Sequence, residues 1–299
     1  MHATQHSRTA EFMAFFRALE TARPANVRLF SDPWAKGFLG SSFRALATAA
    51  RLPAIGWALR RFIDHRWPGA RSSGVARTCF IDEAVNTALE DGFSQVVLLG
   101  AGFDSRAYRL PFASEARIFE IDHPNTSHLK RQHVETLLGN LPRHVTFVAA
   151  DFNRERLGDV LRGAGVDFTR PVFFVWEGVS QYLTAEAVDA TFRDVATSAA
   201  GSKLLFTYVH RDAIAGRTDA YDGMAAIHQA VNDAAEPWTF GFEPGELPDY
   251  LAARGYRLIS DLGAADYRAL YRDATINRAR GYEFYRIAVA EVLPHGPAA

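Results

Sequence analysis

Glycines and acidic residues follow consecutive apolar runs in the middle of the chain, at a spacing that suits a nucleoside-containing ligand. Residues 96–99 form an apolar run that breaks into Gly100-Ala101-Gly102, and a second run ends at Asp122. Two glycines at this spacing let the backbone approach a ligand closely, and the helix expected directly after them would point unpaired N–H groups at that ligand. An acid about 20 residues further on can accept hydrogen bonds from a ribose. The pattern predicts a nucleoside site, although a G-x-G alone is also typical of an ordinary glycine turn.

Asp104 helps to choose between two cofactor classes. The third glycine of a dinucleotide fingerprint is missing, and Phe103-Asp104-Ser105 stands there instead. A carboxylate beside the turn would repel a pyrophosphate by roughly 1 kcal/mol or more in a partly desolvated site. It would attract the ammonium and sulfonium groups of S-adenosylmethionine. The turn therefore favours S-adenosylmethionine, and an NAD(P)-dependent oxidoreductase is the alternative.

Two further acids, Asp151 and Glu177, also follow apolar runs. Ligands of parallel sheets bind beyond the carboxyl ends of the strands. Each acid alone is more often a helix N-cap than a ligand. Four carboxylates around one crevice would repel one another unless a cation or several hydrogen-bond donors lay among them. We therefore expect a cationic ligand there.

Strand and helix patterns alternate from residue 95 onward, which predicts an α/β fold with a doubly wound parallel sheet. The N-terminal third shows only helical patterns, with a loop expected over residues 65–73 because of its Pro, Gly and Ser. Near the C-terminus, YRLISDL and residues 285–293 read as two late strands. The predicted strands are residues 95–99, 117–122, 145–151, 171–178, 202–210, 256–262 and 285–293. The predicted helices are residues 9–19, 43–63 (broken near Pro53), 75–89, 125–138, 154–162, 185–199 and 243–254.

Composition narrows the function classes. The chain has 299 residues, is 48% hydrophobic and carries a formal net charge of −1, so we expect no general attraction to nucleic acid or to an anionic membrane. The single cysteine, Cys79, excludes an internal disulfide, and no Cys/His spacing suggests a metal. No signal peptide or membrane helix is apparent, so a cytoplasmic location is expected. The expected partner is a small-molecule substrate, and the oligomeric state stays open.

Several motifs in order resemble the leucine carboxyl methyltransferase family, which includes bacterial polyketide O-methyltransferases. They are VVLLGAGFDSRAYRL, FEIDHP, ADF and WEGVSQYL, preceded by RALETARP, Asp32-Pro33 and RTCFIDEAV. The resemblance implies a class I, Rossmann-like methyltransferase with a seven-stranded sheet whose seventh strand is antiparallel. The residue patterns divide the chain into a helical N-terminal segment (residues 1–94) and a cofactor-binding core (residues 95–299). Within the core, residues 211–242 are long for a bare connection, which predicts a cap insertion there.

The resemblance also implies roles for individual residues in binding S-adenosylmethionine. At the methionine end, Arg77 matches the arginine that holds the carboxylate, Asp104 lies near the amino-acid group, and Glu177 lies under the methionine moiety. From the residues alone, Arg77 could equally form an ordinary salt bridge. Arg17 resembles an N-terminal basic residue that reaches the cofactor carboxylate.

At the adenosyl end, Gly100 and Gly102 match the motif glycines and Asp122 matches the ribose ligand. Asp151 is implied to accept from the adenine amino group, with Phe152 offering its backbone N–H and its ring face. The chain departs from the usual DTR, DL and EGVLxYL patterns with DSR, DF and EGVSQYL. The change at Ser180 affects the expected pocket shape.

Three residues are candidates for contacting the methyl acceptor: His210, Tyr208 and Tyr182. A carboxylate acceptor is ionised at neutral pH and needs no base, whereas a phenol gains from one, and His210 is the candidate. Ordinary packing of these side chains is the alternative.

The predicted cap is rich in apolar side chains, which suits a hydrophobic natural-product acid or phenol, although plain helical packing explains them too. They are Tyr221, Met224, Ile227, Trp238, Phe240 and Phe242. The sequence thus predicts an O-methyltransferase. A protein C-terminal carboxyl methyltransferase and a non-catalytic fold relative are alternatives.

Overall fold

Seven strands form one sheet in the order β3-β2-β1-β4-β5-β7-β6 in a computed structural model of the chain, which describes residues 8–294 except Phe112, Asn153, Thr218 and residues 234–236. The strands are β1 (Gln95–Leu99), β2 (Arg117–Asp122), β3 (Val145–Ala149), β4 (Phe173–Trp176), β5 (Lys203–Val209), β6 (Tyr256–Leu262) and β7 (Tyr285–Val292). The first five are parallel, and β7 lies antiparallel between β5 and β6. The predicted α/β fold with a doubly wound sheet and a late antiparallel strand is confirmed.

Helices cover both faces of the sheet. They are α1 (Arg8–Thr21), α2 (Ser41–Ala49), α3 (Pro53–Arg66), α4 (Ala70–Glu90), α5 (Arg106–Arg109), α6 (Pro124–Leu138), α7 (Leu157–Gly163), α8 (Ala185–Ala196), α9 (Arg211–Ile214), α10 (Met224–Asp233), α11 (Leu247–Ala252), α12 (Ala264–Ala269) and α13 (Ala274–Asn277). Short 3₁₀ turns occur at Ala35–Phe38, Ala113–Glu115, Ser180–Tyr182 and Pro244–Glu246. Within the described residues, no helix combines the length and apolar character needed to cross a bilayer.

Side chains of β1 alternate between the two core layers that flank the sheet. Val97 and Leu99 pack with Phe174 and Phe192 on one face, whereas Val96 and Leu98 join the α4 side on the other. Every residue of β1 is buried, as expected of a central parallel strand. The apolar run before Gly100 is therefore uninterrupted because both of its faces are covered.

The loop predicted for residues 65–73 is shorter than expected. Helix α3 continues to Arg66 and α4 already begins at Ala70. Gly69 marks the break, with φ of +81° and the Gly281 carbonyl 2.4 Å from where a Cβ would lie. Ser72 and Ser73 are buried inside α4, where their hydroxyls bond to the Gly69 carbonyl and to Tyr267. Serines thus continue this helix because each hydroxyl has a partner.

The helix predicted directly after the glycine turn is only the four-residue α5. Its N–H groups are largely used within the chain, since that of Arg106 donates to the Asp104 carboxylate at 2.7 Å and those of Tyr108 and Arg109 donate to the Ser105 carbonyl. Whatever binds at this turn is held by side chains and by the turn itself.

Candidate functional site

The glycine turn is fixed to the neighbouring strand and closely covered. Gly100 and Gly102 have φ of +68° and +42°, a region that favours glycine. The N–H groups of Gly100 and Ala101 both donate to the Ile121 carbonyl, at 2.8 and 3.0 Å. A Cβ on Gly100 would lie 2.2 Å from Val179 Cγ2. Gly100 is therefore required by the segment after β4 as well as by the turn.

Asp122 lies at the end of β2 beside this turn. Its carboxylate accepts hydrogen bonds from the N–H groups of Gly102 and, at 2.6 Å, of His123. Burial raises the pKa of Asp122, and the two N–H groups oppose that rise. The two bonds fall on different oxygens, so each oxygen keeps acceptor capacity. This arrangement fits a ribose diol, which offers two hydroxyl donors.

The other carboxylates are neutralised by arginines of the chain itself. Glu177 accepts from Arg77 Nε at 2.7 Å and from Arg106 Nη1 at 2.8 Å, and Asp104 accepts from the same Arg106 nitrogen at 2.6 Å. Burial acts to raise the pKa of Asp104, but Arg106 and Lys130 outweigh it and bring the pKa to about 2. Burial likewise acts to raise the pKa of Glu177, and Arg106 and Arg77 together lower it.

This network fits the alternative that hydrogen-bond donors of the chain itself lie among the acids. Arg106 is buried and fills that place, and its Nε also bonds to Asp82 of α4 at 2.8 Å. Arg109 holds the same Asp82 at 2.6 Å. Neither arginine was predicted as a site residue, although both stand in the motif that follows β1. Asp82, an acid on the helix that precedes β1, is the sequence feature that could have indicated a buried partner for these arginines.

Arg77 does form the salt bridge considered as its alternative role, yet one end of its guanidinium stays available. Its Nη2 contacts Met13 Sδ at 3.2 Å, and its Cζ lies 4.5 Å from the centre of the Tyr285 ring. A thioether is a weak acceptor. Nη1 makes no hydrogen bond within the described part of the chain. This geometry leaves donors for a ligand carboxylate.

Arg17 is used differently from what the resemblance implies. Its Nε donates to Asp32 at 2.8 Å, and Nη2 donates to the Phe103 carbonyl in the glycine turn. Asp32 also accepts from Ser105 Oγ and from the N–H of Ala35. Arg17 therefore ties α1 to the turn.

Asp151 and Phe152 follow β3 at the same edge of the sheet. The Asp151 carboxylate lies 3.5 Å from Arg154 Nε, and its N–H donates to Glu155. Phe152 is half-buried against the core layer that contains Trp176. Their roles toward adenine stay predictions.

Tyr208 lies near the end of β5, as predicted, but its side chain does not face the site loop. Neighbouring residues of a strand point to opposite faces, and Thr207 is the one that bonds to the site loop, accepting from the Gly178 N–H at 2.8 Å. Tyr208 is fully buried, donating to Asp261 at 2.7 Å and accepting from Arg286 at 3.0 Å. Burial and Asp261 raise its pKa far above the ordinary value. The proposal that Tyr208 contacts substrate is therefore dropped.

His210 caps helix α9. Its Nδ1 accepts from the Asp212 N–H at 3.2 Å, and its Nε2 lies 3.3 Å from a carboxylate oxygen of Glu243. With Nδ1 accepting, the neutral ring carries its proton on Nε2, facing Glu243. This assignment comes from the hydrogen-bond pattern. Neither nitrogen is then placed to take a proton from a substrate.

Tyr182 lies in the turn after Glu177 and donates to Thr9 Oγ1 of α1 at 3.3 Å. It joins the N-terminal helix to the segment that carries Glu177. A contact of Tyr182 with substrate stays a prediction.

The cap residues divide into two groups. Met224, Ile227 and Phe242 are buried in the core, which is the plain packing considered as the alternative. The other three, Tyr221, Trp238 and Phe240, are half-buried.

Tyr282 was missed by the sequence argument. It has φ of +71°, the single described non-glycine residue with a positive φ, and its ring stacks on Tyr285 at 5.7 Å. Such backbone conformations cost about 1–3 kcal/mol and persist where the surroundings impose them. Here the Tyr282 N–H donates to the carbonyl of Asp222, in the segment predicted to be a cap, at 3.1 Å. The preceding residue, Gly281, is the sequence feature that could have indicated a turn with an unusual backbone conformation.

Known proteins resemble the chain over most of its length. The leucine carboxyl methyltransferase family model matches residues 10–196. A Frankia alni protein named as an S-adenosyl-L-methionine-dependent methyltransferase is 35% identical over 260 residues, covering 84% of this chain and 88% of that protein. A Mycobacteroides abscessus protein with the same kind of name is 31% identical over 296 residues, covering 91% and 92%.

A solved structure shares the fold. The crystal structure of a DUF574 family protein from Streptomyces avermitilis has a TM-score of 0.63 and 15% identity, covering 97% of this chain and 98% of that one. The family match extends from α1 to the end of α8 and includes the glycine turn, Asp122 and Glu177. The resemblance of the sequence motifs is thereby confirmed, and the chain belongs to the leucine carboxyl methyltransferase family.

Proposed function

We propose that this protein is an O-methyltransferase that uses S-adenosylmethionine to methylate a carboxylate, or a hydroxyl, of a small and fairly hydrophobic natural-product-type molecule. Family membership and the names of the relatives confirm the predicted cofactor and the methyltransferase class. The observation that carries the proposal in this chain is the Asp122 carboxylate, fixed to the glycine turn with acceptor capacity left on both oxygens.

The sulfonium of the cofactor supplies an activated methyl group, so the protein mainly has to align the reactants and exclude water. Asp122 would hold the ribose, and Arg77 would hold the carboxylate of the methionine moiety. Glu177 orients Arg77 through the 2.7 Å bond to its Nε. These residues bind and orient, and none has to move a proton.

A carboxylate acceptor is favoured over a hydroxyl. The candidates for a general base are committed elsewhere, since Tyr208 is buried against Asp261 and His210 caps α9. An ionised carboxylate needs no base. The half-buried aromatic residues of the cap support a hydrophobic acceptor. The family's name favours a protein C-terminal carboxylate as a second acceptor class.

The oxidoreductase alternative needs a direct test, because Asp104 is paired with Arg106 and would repel a pyrophosphate less than the sequence suggests. We expect S-adenosylmethionine to bind in calorimetry and NADH not to bind. Asp122→Asn removes a charged acceptor worth about 1.5–3 kcal/mol, so the Kd should rise roughly tenfold or more. Exposed Asp91→Asn is the matched control. Tight NADH binding, or an unchanged Kd in Asp122→Asn, would contradict the proposal.

The acceptor class can be read from the product. The protein is incubated with methyl-labelled S-adenosylmethionine and an extract of the cells that produce it, and the label is followed into small molecules and into protein. We expect label in a small apolar fraction that is released by mild base, as a methyl ester is. Base-stable label indicates a hydroxyl acceptor, and label in protein indicates a C-terminal carboxylate.

A further inference from the structure

The hairpin of α2 and α3 presents large apolar side chains to solvent. Leu52, Trp57 and Phe62 are 60, 61 and 61% exposed, and Leu46 and Ile55 are exposed as well. The opposite side of α3 is buried through Gly56 and Ile63. Single exposed apolar residues are ordinary, but several on one hairpin mark an interaction surface.

The same hairpin is strongly cationic. Residues 41–67 hold five arginines and one acid, Asp64, a formal charge of +4 in a chain whose total is −1. The arginines are Arg44, Arg51, Arg60, Arg61 and Arg66. None of them forms an ion pair with a described residue, and Asp64 is held by Arg71 at 2.7 Å. The positive charge of this surface is therefore not compensated by ion pairs with the residues that the structure describes.

Arginine and aromatic side chains lie together on the hairpin. The Arg61 guanidinium lies 5.6 Å from the Trp57 ring centre, and that of Arg66 lies 5.2 Å from Trp67. Helices that combine arginine with exposed Trp, Phe and Leu lie in the interface of anionic membranes. There the apolar parts enter the acyl boundary while the guanidinium groups stay among the phosphates.

We propose that this hairpin surface, formed by the exposed side chains of residues 41–66, docks the protein on an anionic phospholipid bilayer. A second copy of the chain fits less well, because a two-fold contact would set this positively charged surface against the same positively charged surface of the other copy. The expectation that the protein avoids anionic membranes rested on the average charge. The net charge of −1 is the sum of a positively charged hairpin and a negatively charged remainder of the chain.

The hairpin surface is connected to the proposed methyl-transfer site by one helix. Phe43 of α2 packs on Phe12 and Phe15 of α1, with ring centres 5.3 and 4.7 Å apart. Met13 of the same helix contacts Arg77. A bilayer on the hairpin therefore lies one helix away from the site, which suits an acceptor that partitions into lipid.

Vesicle flotation with the full chain tests the proposal without using activity. We expect binding to vesicles of phosphatidylcholine mixed with phosphatidylglycerol, little binding to phosphatidylcholine alone, and release as salt is raised. Trp57 fluorescence should shift to the blue on binding, and Trp57→Phe should abolish this shift but keep the binding.

Matched variants separate the hairpin from other exposed residues. Arg51→Glu/Arg61→Glu should weaken binding by about tenfold or more, and Trp57→Gln/Phe62→Gln should weaken it as well. Ile259→Gln/Leu270→Gln and Arg143→Glu alter exposed residues elsewhere and should bind normally. Thermal unfolding confirms that each variant is folded.

Failure of the full chain to float with anionic vesicles at low salt would overturn the proposal. So would a dimer in sedimentation that Trp57→Gln/Phe62→Gln dissociates while vesicles stay unbound, because the surface would then belong to a second copy. Either result leaves the proposed methyl transfer untouched.

Discussion

Arg106 is the residue on which the charge balance of the candidate site depends. It is buried and bonds to Asp82, Asp104 and Glu177, which come from three different parts of the chain. Removing one partner of a buried ion pair costs about 3–5 kcal/mol, because the remaining charge stays desolvated. The three acids can therefore lie together at the sheet edge even before a ligand binds.

We predict that Arg106→Gln is destabilised by about 3–5 kcal/mol at neutral pH and partly recovers in mild acid. In the natural protein the pKa of Asp104 is about 2, below its unfolded value, so its contribution to stability is present above pH 3.8 and is lost as the pH falls through 2. Without Arg106, burial raises that pKa, and protonation then relieves the variant as the pH falls. Urea unfolding at neutral and mildly acidic pH measures this. Arg143→Gln is the exposed control, and a deficit that does not change with pH would refute the explanation.

His210 is predicted to be a structural cap. His210→Asn keeps a side-chain acceptor for the Asp212 N–H, so turnover should fall far less than the roughly 100-fold or more that losing a general base costs. The pH dependence of kcat/KM should keep its shape. A steep loss of turnover with unchanged cofactor affinity would restore His210 as the base.

At this scale the sequence correctly predicted Gly100 and Gly102 as turn glycines, because the positive φ of both residues favours that residue type. It failed at Tyr208, since the sequence does not show which face of β5 looks toward the site. It also missed Arg106, because a salt bridge between residues 71 positions apart leaves no local pattern.

The segment between α1 and α2 is the element that covers the glycine turn. Asp32 organises it, accepting from Arg17, Ser105 and the N–H groups of Trp34 and Ala35. Burial acts to raise the pKa of Asp32, and Arg17 and Arg109 together lower it. Asp32 of the Asp32-Pro33 pair noted in the sequence thus links the segment between α1 and α2 to α1 and to the glycine turn.

We predict that Asp32→Ala costs about 3–5 kcal/mol of stability and exposes residues 22–31 to proteases. Because the folded pKa of Asp32 is lowered, its contribution is constant above pH 3.8 and is lost only as the pH falls through the lowered value. The deficit should therefore be equal at pH 6 and pH 8. Chemical unfolding with exposed Asp91→Asn as the control measures it, and a deficit that varies across neutral pH would contradict this role.

Elements with a strong hydrophobic periodicity were predicted at nearly the correct residues. Examples are α1 and the alternating strands and helices after β1. The loop predicted over residues 65–73 is too long, and the helix predicted after the glycine turn is shorter than expected, both for tertiary reasons. Ser72 and Ser73 find partners that the sequence does not reveal, and α5 ends after one turn.

At the scale of the whole molecule, a buried charged pair under the glycine turn links stability to pH. Glu120 of β2 lies 2.8 Å from Lys130 of α6 and accepts from Tyr108 at 2.8 Å. Burial raises the pKa of Glu120 to about 7, against the effect of Lys130. Lys130 in turn donates to the Ala101 carbonyl at 3.3 Å. The titrating carboxyl of Glu120 thus lies between the sheet and helix α6.

We predict that the free energy of unfolding falls between pH 4.5 and 7 through Glu120, because the folded protein holds a proton that the unfolded chain has released. The difference between the natural protein and Glu120→Gln should change over that window by up to about 3 kcal/mol. Unfolding titrations at several pH values measure it, with Glu115→Gln as a control. A parallel pH dependence in both proteins would exclude Glu120 as the source.

The position of β7 has a consequence for biosynthesis. This strand is made after every other strand of the sheet, yet it pairs with both β5 and β6. Until β7 has left the ribosome, β5 has an unpaired edge with apolar side chains. Such an edge can aggregate in a nascent chain. Tyr285, the ring beneath Arg77, arrives with the same strand. Translation therefore has to pass residue 292 before the arginine site is complete, so a fragment released earlier has neither a closed sheet nor a finished site.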